Sequence, residues 1–512
     1  MDTVGEARTV IVVGGGMAGL STAWELARAG ARVVLVEREA VAGGRLSTPR
    51  TVTLEQGGRT FHFPVEHGIH GIWRQYRNLR RLLDACGASR LLAPSGEQAL
   101  VFAEGDEALH MPVAEGPRTS RLPEPFHQIA MLSPDLLRLA LRSGVLPNVR
   151  ASLDLWHAWS FDPDRDVAAY DGASVETLIG RWPLLLRRLF GALTHTGFFR
   201  DPSEVSLAAF FTGLSLYVLG DKRDTAFDLL TEDTQTALIG PLLQEVRRRG
   251  EVRLGASVED VLIEGGHARG VVVDGERVAA HAVVLAVDPP ALRALSRGSL
   301  GGLLGDAAIP DGLHSQSARI WFARSPRKDR APMGVWVSEG PDAWFWLHRL
   351  QRPYRAWHEA TGGSCVECHL YGRRAEEAVT QPDGVVLDRV AAAVERAWPE
   401  VSGSRIHADL CRNPPTHVSF EPGSMVRLPQ VATFVSNLAL CGDFVAARYP
   451  VLYLERATLT GLEAARHVAP ALGLDPAALP EPLPPFPARR HVRALRGTLR
   501  LLRARGLLTA LA

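Results

Sequence analysis

The N-terminal segment of the chain carries the pattern that most restricts its fold. A β-branched run, Thr9–Val13, meets a glycine-rich turn at residues 14–19, and a stretch with helical spacing follows. Arg32–Glu37 is then a second apolar run of the kind that forms a buried strand. A strand, a tight turn, a helix and a second strand in this order form a βαβ unit with two parallel strands. The sequence therefore predicts an α/β fold built on a parallel sheet.

The glycines of the turn match the dinucleotide-binding fingerprint G-x-G-x-x-G of a Rossmann-type unit. Gly14 permits the tight turn, Gly16 lets a pyrophosphate approach the backbone, and Gly19 lets the helix pack closely on the strand. The helix N-terminus presents unpaired N–H groups to the phosphates. Glu37 ends the second strand, where it can accept hydrogen bonds from a ribose, and Arg38 is assigned to the same site. The alternative is a glycine-rich turn without a ligand.

Composition narrows the class of protein. At 512 residues the chain is too long for one simple core, so two lobes are expected. A net charge of +1, from 57 basic and 56 acidic residues, gives no reason to expect a nucleic-acid partner. Five cysteines do not suggest a disulfide framework. We find no secretory signal and no uncharged run as long as the roughly 20 residues of a membrane-spanning helix, so the expected location is the cytoplasm.

A second glycine motif follows the second strand, where residues 42–45 read Ala-Gly-Gly-Arg. Gly43 and Gly44 let the backbone pass close to a cofactor, and Arg45 can neutralise a phosphate. This motif resembles the second glycine motif of the amine oxidase and phytoene desaturase superfamily of flavoproteins. The resemblance implies that the cofactor is FAD.

Two later stretches resemble the same superfamily and appear in the expected order. Val258 resembles the segment whose backbone contacts the adenine. Gly442 and Asp443 follow another buried strand and resemble the motif that holds the flavin's ribityl chain and pyrophosphate. The resemblance implies one FAD-binding domain assembled from separated parts of the chain.

Two stretches indicate a branch of the superfamily. Residues 66–73 read Glu-His-Gly-Ile-His-Gly-Ile-Trp, and residues 454–461 read Leu-Glu-Arg-Ala-Thr-Leu-Thr-Gly. They resemble the carotene ring desaturase/methyltransferases of the isorenieratene synthase type, which convert a β-ionone end group into an aromatic ring. The resemblance implies a desaturase of a hydrophobic polyisoprenoid, a carotenoid end ring, that transfers a hydride to flavin N5 and shifts a methyl group. The implied electron acceptor is a quinone or oxygen.

These stretches also supply the candidates for the base that completes the double bond. The candidates are Glu66, His67, His70 and Glu455, and the sequence does not choose among them. Other interpretations stay open: the histidines suit core positions with backbone partners, and Glu66 suits a solvated turn. Glu455 also suits the first turn of a helix, where an acid complements the helix dipole.

The predicted architecture is an FAD-binding domain of the amine oxidase type with an inserted α+β domain. The FAD-binding domain comprises residues 1–80, 231–300 and 421–475. The inserted domain, which faces the substrate and a membrane, comprises residues 81–230 and 301–420. Within it, the uncharged run at residues 205–220 is either a core helix or the wall of an apolar tunnel.

A basic amphipathic segment at residues 480–512 ends the chain. From Arg489 onward it has seven arginines and no acidic residue. Five arginines fall on one helical stripe beside a stripe of Val and Leu: residues 489, 493, 496, 500 and 503. Such a helix suits an anionic membrane, so we expect a peripheral position on the inner face of the cell membrane. The alternative is a helix docked on the protein's own body.

Two other functions remain open. An amine oxidase is disfavoured because the sequence shows no clear aromatic pair placed to sandwich a flavin, and Tyr449 and Tyr453 are the only nearby candidates. A prenyl-binding escort protein of the same fold would need no flavin, and the FAD motifs argue against it. No metal site is predicted: residues 365–369 spell the haem attachment pattern C-x-x-C-H, but their alternation favours a buried strand.

Overall fold

The computed structural model describes residues 8–104, 107–113, 115–131, 151, 153–302, 307–337 and 339–506. Residues 132–150 of the predicted inserted domain and residues 507–512 of the basic segment therefore lie outside the described part of the chain.

A five-stranded parallel sheet forms the centre of the cofactor half. Its strands, in spatial order, are Glu251–Leu254, Arg32–Glu37, Thr9–Val13, Ala282–Leu285 and Leu438–Leu440. The Thr9–Val13 strand is central, because Val13 pairs with Val36 on one side and with Leu285 on the other. The first glycine turn therefore begins at the carboxyl edge of this sheet, where ligands bind in α/β folds. The predicted α/β class with a Rossmann-type sheet is confirmed.

A seven-stranded sheet forms the other half. Its strands, in spatial order, are Arg405–Val418, Gly312–Phe322, Ser364–Leu370, Ala343–Trp346, Met333–Trp336, Gln98–Glu104 and Glu107–Pro112. Three small sheets complete the strands: Val258–Glu264 with His267–Val273 and Glu276–Ala279; Arg50–Gln56 with Arg59–Val65; and Ile72–Trp73 with Phe227–Leu230 and Leu92–Pro94. Ser364–Leu370 is buried throughout, so the strand predicted over the C-x-x-C-H pattern is confirmed.

The helices cover both halves. The α-helices are Met17–Arg28, Arg77–Ala85, Glu115–Thr119, Trp156–Ser160, Val167–Tyr170, Val175–Ile179, Leu184–Phe198, Leu207–Leu214, Gly240–Arg249, Pro289–Leu295, Arg352–Thr361, Gly372–Thr380, Asp383–Ala397, Tyr453–Val468 and Arg490–Ala504. Two π-helical segments are Ser215–Leu219 and Gln235–Ile239. Shorter 3-10 turns are Gly44–Leu46, Ala88–Leu91, Phe126–Met131, Pro202–Glu204, Lys222–Thr225, Leu347–Arg349, Pro399–Val401, Ala469–Leu472 and Pro476–Ala478.

The uncharged run at residues 205–220 forms the buried helix Leu207–Leu214 and the π-helical turn after it. Phe211 packs in the core, whereas Phe210 and Tyr217 reach the main cavity. The two interpretations of this run, a core helix and a cavity wall, therefore both hold, on different faces of the segment.

The C-terminal helix, Arg490–Ala504, lies against the body of the protein. Its Val492 is buried, and Arg500 and Arg503 both bind the carboxylate of Asp166, with nitrogen–oxygen distances of 3.2 and 3.0 Å. Arg489 binds Asp221 at 2.9 Å. These ion pairs and the buried Val492 hold the helix against the body of the protein.

This arrangement corrects the predicted use of the arginine stripe. Arg496 also faces inward and donates to Ser215 Oγ at 2.8 Å, so four of the five stripe arginines form contacts with the protein. Arg490, Arg493 and Arg505 remain exposed on the outer face. In the described part of the chain, no helix has the length and apolar character needed to cross a bilayer.

Candidate active site

One large cavity extends from the glycine turns into the seven-stranded half. Its volume is about 1230 Å³, larger than the ~300–1,000 Å³ of ordinary ligand pockets. The cofactor residues predicted from the sequence that line it are Gly14, Gly16, Glu37, Arg38, Gly43, Gly44, Arg45, Val258, Gly442 and Asp443. Gly19 is the one predicted cofactor residue outside this lining, because its role is packing.

The first glycine turn leaves room for a ligand at one position only. A Cβ on Gly14, whose φ is +102°, would lie 2.4 Å from the backbone oxygen of Ala286, and one on Gly19 would lie 1.9 Å from that of Gly14. Gly16 differs, because a Cβ there would meet nothing within 4 Å. Gly16 is also the N-cap of the helix Met17–Arg28. This open space beside unpaired helix N–H groups is the geometry that binds a phosphate.

The second glycine motif packs directly on the first. The Gly43 N–H donates to the Gly15 oxygen at 2.8 Å, and a Cβ on Gly44 would approach the Gly16 Cα to 3.4 Å. Gly43 and Gly44 have φ values of +128° and +56°, which favour glycine. The two motifs therefore form one continuous backbone cradle.

A buried carboxylate and an ion pair flank the cradle. The Glu37 carboxylate accepts hydrogen bonds from the N–H groups of Gly15 and Glu39, at 2.7 and 2.9 Å, which fix it at the cavity wall. Arg45 donates to Asp443 at 2.7 Å. Exposed Arg38 contacts Asp288 at 3.3 Å on the rim. Backbone donors, a carboxylate for a ribose and a cation for a phosphate together fit FAD.

Away from the cradle, aromatic and aliphatic side chains supply much of the cavity wall, and we call this part the chamber. Ten aromatic side chains line it: Trp73, Tyr76, Phe198, Phe199, Phe210, Tyr217, Phe227, Phe345, Tyr371 and Tyr453. The carboxylates that line the cavity all belong to the segments around the cofactor motifs: Glu37, Glu39, Glu259, Asp288 and Asp443. Among the described residues, the chamber wall therefore carries no acidic side chain.

Four histidines line the cavity between the cradle and the chamber: His67, His70, His369 and His417. Burial lowers the pKa of His67 to about 4 and that of His70 to about 3, with nearby positive charge adding to the effect. Burial also lowers the pKa of His417 well below its usual range. These three imidazoles are therefore neutral at physiological pH.

A buried chain of polar groups supports this histidine wall. Arg319 binds Glu367 at 2.5 Å, Glu367 Oε1 contacts His369 Nε2 at 2.6 Å, and His369 Nδ1 contacts the Tyr371 hydroxyl at 2.5 Å. Glu367 also accepts the N–H of Ile69 at 2.7 Å. Burial by itself raises the pKa of Glu367, but Arg319 and His369 outweigh it and lower the pKa to about 2.

The structure does not support Glu66 as the base. Its carboxylate is buried and accepts hydrogen bonds from the N–H and hydroxyl of Thr234 and from the side chain of Gln351. Burial raises its pKa, and it does not line the cavity. Glu66 therefore joins separate segments of the chain.

The structure does not support Glu455 either. One oxygen accepts the N–H and side-chain amide of Asn78 at 2.8 and 2.7 Å, and the other accepts the N–H of Leu79 at 3.0 Å. Burial raises its pKa to about 7, and it lies outside the cavity lining. Glu455 thus stabilises the start of the helix Arg77–Ala85. Of the four predicted bases, only His67 and His70 line the cavity.

The sequence-based interpretation missed His369, Tyr371 and His417 as site residues. The sequence does carry a signal for His369 and Tyr371. Together with Glu367 they occupy alternate positions, which lie on one face of an extended strand. No local pattern marks His417. In the parts of the chain that the structure describes, no group of three or more His, Cys, Asp or Glu side chains is arranged to hold a metal ion.

The parallel sheet, the double glycine cradle and the adjoining chamber define an FAD-dependent oxidoreductase. Comparison with known families agrees: residues 17–469 match the model for flavin containing amine oxidoreductase, and the chain belongs to that family. Because the chain is a flavoenzyme of this family, the alternative of a flavin-free escort protein is excluded.

Named relatives and solved structures give further similarities. The chain is 31% identical to a carotenoid phi-ring synthase of Streptomyces griseus, over 90% of this chain and 87% of the relative. It is 23% identical to a 15-cis-phytoene desaturase of Arabidopsis thaliana, over 88% and 78%. The solved structure of cyclohexylamine oxidase from Brevibacterium oxydans covers 91% of this chain and 100% of its own, with a TM-score of 0.62 and 17% identity. That likeness concerns the fold alone.

Proposed function

We propose that this chain is an FAD-dependent desaturase of a carotenoid end ring, which converts a β-ring into an aromatic ring with a methyl shift. The observation that carries the proposal is the aromatic chamber next to the FAD cradle, whose described wall has no carboxylate. A hydrocarbon offers no polar handle, so its affinity must come from burial at about 0.8 kcal/mol per methylene.

The relatives favour a ring over a linear carotenoid. Similarity is higher to the carotenoid phi-ring synthase, at 31% identity, than to the phytoene desaturase, at 23%, over nearly the same share of the chain. The name of the first relative refers to a carotenoid ring, and that of the second to phytoene.

When bound, FAD supplies the acceptor for a hydride. Loss of a hydride leaves positive charge on the substrate ring, and the residues of the chamber must accommodate this charge. Phe199 packs on Tyr371 and on His417, each with ring centroids 4.6 Å apart. Aromatic faces attract a cation, and neutral imidazoles add no competing positive charge. His67 and His70, kept neutral by burial, are thus suited to contact the ring during the methyl shift.

A small-amine oxidase is the second candidate, because the family name includes this activity. An ammonium group needs a carboxylate or an aromatic pair near the flavin. Tyr449 does not line the cavity, and the hydroxyl of Tyr453 donates to the backbone oxygen of Gly197. These two features favour the hydrocarbon substrate.

The same proposal implies a peripheral position on the inner face of the cell membrane, because carotenoids partition into lipid. The outer face of the C-terminal helix is the region we assign to this contact. It carries exposed Arg490, Arg493 and Arg505 and the 64%-exposed Leu501. A basic face with an apolar side chain suits anionic headgroups.

A substrate panel tests the proposed function. The purified yellow protein is mixed anaerobically with β-carotene in detergent, and with lycopene, phytoene and a set of small amines. We expect bleaching of the flavin absorbance by β-carotene and none by the amines. Bleaching by phytoene or lycopene alone would retain a desaturase and reject the ring. Bleaching by amines alone would reject the carotenoid substrate.

A further inference from the structure

Removing a hydride from a ring carbon does not by itself make a double bond, because a proton must leave the neighbouring carbon. We propose that Tyr371 accepts this proton and passes its own hydroxyl proton to His369, with Glu367 and Arg319 as positioning residues. The inference rests on the proposed desaturase function. It assigns a role to residues that no sequence motif indicated.

The hydrogen bonds fix the direction of the relay. Glu367 is ionised, so it can only accept, and the proton of His369 must therefore lie on Nε2, facing Oε1 at 2.6 Å. In the neutral imidazole that the relay requires, His369 Nδ1 is then the acceptor, and the Tyr371 hydroxyl donates to it at 2.5 Å. The free lone pairs of the Tyr371 oxygen are left for a group in the cavity, which both residues line.

The step balances without an additional reagent. The C–H bond next to the cationic carbon breaks, its electron pair becomes the new C=C bond, and its proton bonds to the Tyr371 oxygen. The original hydroxyl proton of Tyr371 moves to His369 Nδ1, and Glu367 stabilises the imidazolium. The hydride that leaves the substrate with two electrons would be accepted by FAD when that cofactor is bound. The quinone or oxygen that reoxidises the enzyme consumes the stored proton.

Other groups at the site are less suited to hold a proton. His67 and His70 have pKa values lowered to about 4 and 3 by burial, and neither has a carboxylate partner. Of the four histidines described in the cavity lining, His369 alone has an anion on one nitrogen and a hydroxyl on the other. The Tyr371 hydroxyl, the His369 imidazole and the Glu367 carboxylate are thus arranged like the nucleophile, base and orienting acid of a catalytic triad.

The protein holds the relay rigidly. Asp342 clamps the end of the strand: its N–H donates to the oxygen of His369, and its carboxylate accepts the N–H of Tyr371, both at 2.8 Å. A Cβ on Gly68 would come within 3.0 Å of the His369 ring, so the opposite wall also restrains it. Both contacts limit the relay to one geometry.

The first test compares Tyr371→Phe with Tyr354→Phe in turnover of β-carotene. Both changes remove one tyrosine hydroxyl, but Tyr354 is buried away from the cavity, whereas Tyr371 lines it. We expect Tyr371→Phe to lower kcat about 100-fold, with FAD content and KM unchanged. The wild-type solvent deuterium effect should disappear in Tyr371→Phe and persist in Tyr354→Phe. His369→Gln should match the Tyr371→Phe phenotype.

The second test needs no turnover. In protein labelled with ¹⁵N-histidine, the His369 signals, assigned with His369→Gln, should report a protonated Nε2 and an unprotonated Nδ1. The opposite tautomer would overturn the relay. Wild-type rates in both Tyr371→Phe and His369→Gln would overturn the relay and leave the proposed function intact. A wild-type protein inert toward β-carotene would instead overturn the proposed function and, with it, this role for Tyr371.

Discussion

Arg45 donates a hydrogen bond to Asp443 over 2.7 Å, across 398 residues of sequence. Arg45 belongs to the second glycine motif and Asp443 to the third, and both line the cavity beside Gly16. The arginine that we predict to neutralise a phosphate is thus itself positioned by a carboxylate. The contact makes the charge balance of the FAD site depend on two distant parts of the chain.

Because Arg45 and Asp443 are paired, we predict that substitutions of the two residues change FAD affinity non-additively. Arg45→Ala leaves Asp443 unpaired next to the phosphates, and we expect FAD affinity to fall by about 2 kcal/mol, roughly 30-fold in Kd. Asp443→Asn should lower the FAD affinity less, because the positive charge of Arg45 remains. The double variant should bind better than Arg45→Ala alone, as measured by fluorescence titration of the apoprotein. Additive losses would contradict the coupling.

Gly16 and Gly19 should respond differently to the same substitution. Gly16 has φ −76° and open space at its Cβ position, so Gly16→Val should fold normally and lose FAD. Gly19→Val should fail to fold, because its Cβ would overlap a backbone oxygen. Flavin absorbance and thermal melting of the two proteins distinguish the cases. A Gly16→Val protein with full FAD content would contradict the assignment of this site.

The cofactor site was predictable because its residues act through local backbone geometry. Gly14, Gly43 and Gly44 need positive φ values that leave a direct mark on the sequence. The base could not be predicted in this way. Glu66 and His67 are neighbours in the sequence. The carboxylate of Glu66 is nevertheless buried away from the cavity, whereas the imidazole of His67 lines it. His417 enters through a strand of the seven-stranded sheet, whose register follows from long-range pairing.

His195 predicts a pH dependence of stability. Burial alone lowers its pKa, but contacts with Asp201 at 2.6 Å and Asp342 at 3.5 Å outweigh burial and raise the pKa to about 9 from an ordinary 6.5. A raised pKa contributes stability below pH 6.5 that is lost as the pH rises through 9. We expect His195→Gln to be less stable by about 2 kcal/mol at pH 6 and nearly equal to wild type at pH 10. Urea unfolding across this range measures the difference, and a constant gap would contradict it.

The outer face of the C-terminal helix predicts salt-sensitive binding to anionic vesicles. Reversing three exposed arginines, in R490E/R493E/R505E, should remove about 3 kcal/mol of attraction, roughly a hundredfold in vesicle partition. The matched control R247E/R248E/R249E changes the net charge equally at another helix end. We expect the control to bind as wild type does, and binding to weaken with salt. Equal binding by both variants would show that this face is not the contact.

The arginines that face inward explain why deletion of the C-terminal helix is a poor test of its binding to anionic vesicles. Asp166 binds both Arg500 and Arg503, so removing the helix leaves a largely buried carboxylate without its partners. A truncated protein would lose stability for a reason unrelated to lipid. The sequence pattern predicted the helix and its amphipathic character correctly, but the partners of its arginines depend on packing between distant segments.

Expression in a host that accumulates β-carotene tests whether the protein converts the β-ring into an aromatic ring. The measurement is the carotenoid profile of the cells by chromatography and mass spectrometry, with Gly16→Val as the inactive control. The account predicts a new carotenoid with the carbon skeleton of β-carotene, fewer hydrogens and an aromatic end ring in which one methyl group has moved. Unchanged β-carotene in cells that contain the yellow, FAD-loaded protein would contradict it.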